Sequence, residues 1–135
     1  MGIRKLIVYM LLALLAICLF IPVGCLALVV TIIVALRHWN IRFIGSFFYS
    51  LAFGLDQTGN ATFGHLLNAT LIKEQQVYPF GSPDQTISHV LGRNKKLDNL
   101  SPIGQGLSDL LNFIDRKHVE KAAISGQYNE KLKNE

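Results

Sequence analysis

The stretch Leu6–Leu36, LIVYMLLALLAICLFIPVGCLALVVTIIVAL, contains no charged side chain and decides the fold class of this chain. A helix rises 1.5 Å per residue, so a helix over this stretch would be roughly 46 Å long. The hydrocarbon core of a bilayer is roughly 30 Å thick and is crossed by about 20 apolar residues. The pattern therefore predicts a membrane-spanning helix over residues 5–36 that is longer than one crossing requires.

Pro22 and Gly24 lie near the middle of this stretch and favour a kink there. A complete break would give two arms of about 24 and 20 Å, each too short to cross, in a re-entrant hairpin. The hairpin would put the basic residues of both flanks on one side of the membrane, as the positive-inside bias prefers. We favour a single kinked span, because residues 23–25 make a poor turn in the absence of water.

The two flanks of the stretch carry side chains that suit the headgroup layer, where cations and an indole are favoured. The predicted membrane-interface anchors are Arg4, Lys5, Arg37, Trp39 and Arg42. Because Arg37 and Arg42 follow the span, they favour a cytoplasmic C-terminal region.

Two other fates of the N-terminal stretch stay open. Arg4-Lys5 followed by apolar residues is typical of a cleaved secretory signal, although the apolar region of such a signal is usually only 7–15 residues long. The sequence that ends in Cys25 could instead be a lipoprotein signal, although the apolar stretch continues to Leu36. We interpret Cys18 and Cys25 as small apolar residues in lipid.

The remainder of the chain predicts helices, so the expected fold class is all-α. Apolar residues over Ile41–Leu55 recur at helical spacing on one side, and this segment is too short for a second span. We interpret it as an amphipathic helix in the membrane interface, within residues 41–58, and the alternative is a core helix of the soluble part. Residues 1–40 form the anchor, and Gly59 predicts a turn over Asp56–Asn60.

Residues 59–116 are predicted to form a small helical domain. The sequence Ser82-Pro83-Asp84-Gln85 has the residue types of a helix start, and Gly92 those of its end. Ser101-Pro102 opens another helix. Its apolar stripe, expected to pack against Leu66–Ile72, consists of Ile103, Leu107, Leu110, Leu111 and Ile114. Residues 117–135 are interpreted as a mixed-charge tail with one weak helix.

The charge balance argues against a nucleic-acid-binding protein. The chain has 13 Lys or Arg and 9 Asp or Glu, a formal net charge of +4. Outside the N-terminal flank the charges are mixed rather than clustered, whereas a nucleic-acid-binding arm is densely basic. A modest attraction to anionic lipid stays possible.

The residues that could carry chemistry are scattered along the sequence. The candidate residues are His65, His89 and His118, with Asp56, Asp84, Asp115 and Glu120. Only Asp115 and His118 lie close together, and zinc sites typically contain closer ligand pairs. The expectation is therefore no metal, no cofactor and no enzymatic activity.

One segment has the composition of a weak anion site, such as one for a lipid headgroup. A helix start near Pro83 would offer free backbone N–H groups, and hydroxyls and cations follow it. The candidate contacts are Ser82, Thr86, Ser88, Arg93, Lys95 and Lys96. Asp84 would oppose an anion there, so helix capping is the competing interpretation.

Three sequences, which begin at Asn60, Asn68 and Asn99, match the acceptor pattern for N-glycosylation. We interpret these asparagines as turn and capping residues.

Several short motifs resemble a family of small proteins of unknown function that are encoded by tailed bacteriophages and prophages. The motifs are Asp56-Gln57 with Asn60, Gly81-x-Pro83-Asp84-Gln85-Thr86-Ile87-Ser88, Gly92-Arg93, and Asp115-x-x-His118. Gln85 replaces the family's usual glutamate, and Val119 stands where a cysteine often follows the histidine. The resemblance covers roughly residues 55–121 and implies a bacterial cell and no glycosylation.

The first hypothesis is a non-enzymatic binding protein of phage or prophage origin in the bacterial inner membrane. Its expected partners are the lipid bilayer and either a second copy or another membrane protein. The first alternative is a holin-like lysis protein, and the second is a membrane-anchored enzyme with a His/Asp site. Loss of an activity in His89→Ala or His118→Ala would support the enzyme.

Overall fold

The fold is all-α, as predicted. The computed structural model describes the backbone of residues 2–133 and the side chains of residues 2–126. The described residues form five helices, α1 (Ile3–Arg37), α2 (Arg42–Leu71), α3 (Ile87–Lys96), α4 (Pro102–Ile114) and α5 (His118–Lys133). They divide into two compact units, one up to residue 51 and one from residue 52 onward, so the division falls inside α2.

Helix α1 confirms the predicted long apolar helix. It runs through Pro22 and Gly24 without interruption, so the two-armed hairpin is wrong. Membrane helices tolerate such residues because neighbouring groups and local adjustments of the helix satisfy the backbone groups that proline leaves free. The helix is long and apolar enough to cross a membrane, and none of its most apolar 18-residue window is buried.

Helix α2 continues through the turn predicted at residues 56–60, so that prediction is wrong. The polar side chains there do not cap a local turn but hydrogen-bond to residues more than 20 positions away, as described below. Gly59 does not break the helix, and its missing side chain makes room for Ile87, whose Cδ1 would lie 3.1 Å from a Cβ at position 59. The expected boundary after residue 58 lies inside α2.

Helix α3 begins later and ends later than predicted. Ser82–Gln85 forms a turn in which the Gln85 N–H donates to the Ser82 carbonyl, and Thr86 takes the N-cap role. The Thr86 hydroxyl accepts the N–H of His89, which satisfies one of the free donors of the first turn. Gly92 lies inside α3 rather than at its end. A Cβ there would overlap the carbonyl oxygen of Val119, so glycine lets α5 approach α3 closely.

Helix α4 begins as predicted, with Ser101 at the N-cap and Pro102 in the first turn. The Ser101 hydroxyl accepts the N–H of Gly104 and donates to the Thr70 carbonyl. A Cβ on Gly104 would overlap the Leu71 carbonyl oxygen, so α4 begins in close contact with the end of α2. An isolated antiparallel bridge between Ile72 and Leu100 joins the segments beside this contact.

The core of the second unit lies between α3, α4, α5 and the end of α2. Its buried apolar residues are Leu71, Ile72, Phe80, Val90, Leu91, Leu100 and Val119, and Ala123 is also fully buried. Because Val119 and Ala123 belong to α5, the interpretation of residues from 117 onward as a tail is wrong for the first turns of this helix.

The segment between α2 and α3 has no regular structure and is held by asparagine side chains. We call residues 74–85 the asparagine-held loop. Asn60 is fully buried: its amide donates to the carbonyls of Ser82 and Gln85, and its oxygen accepts the Gly81 N–H. Asn68 pairs in the same way with both backbone groups of Phe80.

Asn94 and Asn99 hold the other end of this loop. Asn94 donates to the Tyr78 carbonyl, and Asn99 pairs with both backbone groups of Glu74. The two side chains also bond to each other, from the Asn99 amide to the Asn94 oxygen at 2.7 Å. The three asparagines of the acceptor sequences are thus loop-holding residues rather than the turn and capping residues we expected.

Candidate functional site

Asp56 on α2 and Ser88 on α3 form the shortest polar contact between these two helices. The Ser88 Oγ donates to Asp56 Oδ2 at 2.6 Å, the range of a hydroxyl bonded to an ionised carboxylate. The Ser88 N–H also points to this carboxylate, at 3.3 and 3.4 Å from its two oxygens. A carboxylate here satisfies a free N–H in the first turn of α3 and complements the positive end of the helix dipole.

His118, the first residue of α5, extends this contact into a chain of polar groups. Its Nε2 lies 3.3 Å from the Ser88 Oγ, and its Nδ1 lies 3.2 Å from Asp115 Oδ2. The order Asp115, His118, Ser88, Asp56 therefore connects the α4–α5 turn with α3 and α2. We call these four residues the serine–histidine chain. Ser88 is only 5% exposed, whereas the side chains of His118 and Asp115 are 39% and 53% exposed, so the serine–histidine chain reaches the surface at these two residues.

Asp115 is the charged end of this chain. Hydrogen bonds from Lys121, at 2.9 Å, and from His118 hold the pKa of the Asp115 carboxyl below its ordinary value. Because the carboxylate is ionised and accepts only, the His118 Nδ1 carries the proton.

The imidazole can meet Ser88 in two protonation states. A protonated imidazole donates from Nε2 to the Ser88 Oγ, whose own hydrogen stays with Asp56. A neutral imidazole has a lone pair on Nε2, which accepts the Ser88 hydrogen only when the bond from Ser88 to Asp56 is broken.

His89, by contrast, is a buried structural residue with defined partners. Its Nδ1 lies 3.1 Å from the Ala122 carbonyl oxygen, which only accepts, so Nδ1 carries the proton. A neutral ring then accepts the Tyr78 hydroxyl at Nε2, at 2.9 Å. The Tyr78 oxygen in turn accepts the amide of Gln85. A Cβ on Gly126 would overlap the His89 ring, so α5 lies directly against this imidazole.

Glu120 joins α5 to both neighbouring helices. Its Oε1 accepts from Lys95 Nζ at 3.0 Å and from the Asn112 amide at 3.1 Å. Burial raises the pKa of the Glu120 carboxyl, but the Lys95 ammonium, the Glu120 backbone N–H and the Asn112 amide together lower it below its ordinary value. Asn112 also accepts the Val119 N–H, so it closes the α4–α5 corner.

The structure does not bring the six candidate anion contacts together. Thr86 is the N-cap of α3, whereas Lys95 and Lys96 lie in its last turn, about 14 Å further along the helix. Ser82 belongs to the preceding turn, and Ser88 bonds to Asp56. The Arg93 guanidinium lies over the Tyr78 ring, 5.2 Å from its centroid, and Lys95 pairs with Glu120.

The predicted membrane-interface anchors lie at the two ends of α1. Arg4 and Lys5 are in its first turn, and Arg37 is its last residue. Trp39 follows in a left-handed backbone conformation with φ of 50° and is exposed. Arg42 begins α2, and its backbone N–H is capped by Asn40.

Helix α4 exposes most of the apolar stripe that we expected to be buried. At about 100° per residue, Gly104, Leu107, Ser108 and Leu111 fall on the side that packs into the unit. The adjoining side of the helix carries Ile103, Leu110, Phe113 and Ile114, which we call the outer face of α4. All four are exposed, Phe113 to 88% and Ile114 to 73%. The expected packing against Leu66–Ile72 fails for Leu66, which is itself exposed, because small residues allow α4 to approach Leu71 instead.

The link from Asp56 to Ser88 and on to His118 was not predicted from the sequence. These residues are 32 and 30 positions apart, so spacing gave no signal. They do, however, all lie in the motifs of the phage resemblance. His65 is exposed and takes no part. Among the described residues, no group of three or more His, Cys, Asp or Glu side chains is placed to hold a metal ion.

Comparison with protein-family models, with curated proteins and with solved structures finds no match for this chain.

Proposed function

We propose that this chain is a single-pass membrane protein that acts by binding, with α1 as its anchor and the second unit as its binding module. The outer face of α4 carries this proposal. Monomeric proteins seldom expose large apolar residues next to one another unless the surface binds something. Here four such residues lie on one side of a single helix, next to the side that packs into the unit.

The proposed location is the bacterial inner membrane, in a phage or prophage context. The exposed apolar surface of α1 supports a membrane position. The motif resemblance supports the phage origin, and the basic residues Arg37 and Arg42 support a cytoplasmic second unit.

Alkylation of the full-length protein in native membranes tests the binding role. In a background with Cys18→Ala and Cys25→Ala, the variant Leu110→Cys places a thiol on the outer face. Gln105→Cys, exposed on the polar side of the same helix, is the matched control. We expect the thiol at 110 to be protected in membranes and to react after denaturation, whereas the thiol at 105 reacts in both states. Equal labelling at both positions would contradict the binding role.

Sedimentation and membrane potential test the anchor and the holin-like alternative. We expect the chain to sediment with membranes at alkaline pH and to need detergent for release. We also expect its expression to leave the membrane potential intact. Timed permeabilisation on induction would instead favour the holin-like protein.

The geometry of the serine–histidine chain supports a second candidate function, that of a serine hydrolase. With neutral His118, Nε2 would take the Ser88 proton as Oγ attacks an acyl carbon, and Asp115 would orient the ring. The 3.3 Å contact and the bond from Ser88 to Asp56 make this the weaker candidate.

A fluorophosphonate probe separates the two functions. A nucleophilic Ser88 would form an Oγ–P bond with loss of fluoride, and its proton would pass to His118. A binding protein should give no label. Labelling that disappears in Ser88→Ala but persists in Ser125→Ala would establish the hydrolase.

A further inference from the structure

The outer face of α4 ends in two cations. Phe113 and Ile114 are followed, after Asp115, by Arg116 and Lys117, which are both exposed. Within the described part of the chain, neither of these two side chains makes a hydrogen bond or an ion pair. Lys117 has a left-handed backbone with φ of 60°, at the sharp turn between α4 and α5. Exposed apolar residues are therefore followed directly by exposed cations at the corner between α4 and α5.

The acidic residues near this corner already have partners. Asp115 bonds to Lys121 and to His118, and its carboxylate is therefore compensated. Asp109 accepts from Gln105 at 3.0 Å and lies 3.8 Å from Lys95. The outer face itself contains no acidic residue. The free charge at this corner is therefore positive.

We propose that the outer face of α4, together with Arg116 and Lys117, docks onto the headgroup layer of an anionic bilayer. This inference rests on the proposed function, because it names the partner of the same surface. An apolar helix face with adjoining cations is the composition that lies in a membrane interface, where acyl chains take the apolar residues and anionic headgroups the cations.

The charge pattern favours lipid over a second copy of the chain. A symmetric pair would bring together two surfaces that both lack acidic residues, which would leave Arg116 and Lys117 without a counter-charge. Anionic lipid supplies that charge. The anchor α1 also keeps the unit near a bilayer, so that a weak surface contact is formed at high effective concentration.

Quenching by lipids with brominated acyl chains tests the docking in the full-length protein. In a Trp39→Phe background, Phe113→Trp places the only indole on the outer face, and Gln105→Trp is the matched control. Each protein is reconstituted into vesicles of phosphatidylcholine alone, or into vesicles in which about one third of the lipid is phosphatidylglycerol. We expect strong quenching at position 113 in the anionic vesicles, weaker quenching in neutral ones, and little at position 105.

Removal of the cations tests the electrostatic part. Because each cation near an anionic surface favours binding by about fivefold, Arg116→Gln with Lys117→Gln should lower the docked-to-free ratio by about 30-fold. The quenching at 113 should then fall towards its value in neutral vesicles.

The inference would be overturned by equal quenching at positions 113 and 105, or by quenching at 113 that is the same in neutral and anionic vesicles. A third contrary result would be a blue-shifted tryptophan emission at 113 that the brominated lipids do not quench and that disappears on dilution. The last would identify a second copy as the occupant. In that case the thiol at 110 would still be protected, so the binding role would stand while the lipid assignment failed. Failure of the chain to enter vesicles would instead remove the anchor itself.

Discussion

Gly92 lies against Val119 so closely that a Cβ on Gly92 would overlap the Val119 carbonyl oxygen. This contact sets the distance between α3 and α5, and the overlapped atom belongs to the backbone, so no side chain can move aside. Gly92→Ala should therefore destabilise the second unit by about 2 kcal/mol or more. Chemical denaturation of the full-length protein in mild detergent, followed by circular dichroism, measures this loss.

Gly106→Ala is the matched control, because a Cβ there meets no atom within 4 Å and the position is helical. Alanine favours a helix over glycine by about 0.5–1 kcal/mol, so the control should be neutral or stabilising. Equal effects of the two substitutions would show that α3 and α5 are not in close contact at Gly92.

Asn60→Ala should loosen the asparagine-held loop. The substitution removes three hydrogen bonds, those from the Asn60 amide to the Ser82 and Gln85 carbonyls and that from the Gly81 N–H to the Asn60 oxygen, at a cost of at least about 2 kcal/mol. Thr62→Ala, exposed on the same helix, should change stability by less than about 0.5 kcal/mol. Hydrogen exchange of the α3 amides should accelerate in the first variant only. Unchanged protection in Asn60→Ala would contradict the role assigned to this side chain.

Glu120 should make the stability of the second unit depend on pH. Because its pKa is lowered in the folded state, the folded carboxyl binds fewer protons than the unfolded one. Its contribution is thus present above the unfolded pKa of about 4.3 and is lost as the pH falls through the folded pKa. Glu120→Gln should flatten the fall in unfolding free energy below pH ~4.3 in a series of denaturation curves.

Lys95 is the other partner in the salt bridge of Glu120, and a substitution there tests the same contact. Lys95→Gln removes the ammonium 3.0 Å from Glu120 and should cost about 1 kcal/mol near neutral pH, because both side chains are partly buried. Lys96→Gln removes an exposed neighbour and should be close to neutral. Equal stabilities of the Lys95→Gln and Lys96→Gln variants would show that the salt bridge between Lys95 and Glu120 does not stabilise the unit. The same conclusion would follow if the unfolding free energy of Glu120→Gln fell with decreasing pH as steeply as that of the unsubstituted protein.

Ser88→Ala should break the serine–histidine chain at its centre. Asp56 would keep only the long contacts with the Ser88 N–H, so the loss should be about 1–3 kcal/mol. Ser125→Ala, whose exposed hydroxyl bonds within its own helix, is the control. In a double-mutant cycle, Asp56→Ala and Ser88→Ala should be non-additive by more than about 0.5 kcal/mol. Additivity would indicate that the two side chains act independently.

The sequence predicted a helix correctly where the residues that determine its ends lie close to those ends in the chain. The charge-free run gave α1 nearly to its ends, and Ser101 with Pro102 gave the start of α4. The start of α3 was misplaced because Asn60, more than 20 positions away, holds residues 81–85 outside the helix.

The rest of the candidate site depended on packing that no local pattern contains. The pair of Asp115 and His118 was visible in the sequence, but its continuation to Ser88 and Asp56 requires α2, α3 and α5 to meet. The stripe on α4 was recognised correctly as amphipathic. Its orientation was not, because Gly104 and Ser108 pack inward where larger aliphatic residues were expected.

The asparagine-held loop has a practical consequence for work on this protein. The bonds from Asn60, Asn68, Asn94 and Asn99 end on main-chain atoms of the loop, which every amino acid except proline supplies in full. The identity of exposed loop residues such as Gln75 and Gln76 is thus decoupled from the conformation of the segment. An epitope tag inserted between these two glutamines should be accepted, whereas the same insertion within α3 would abolish folding.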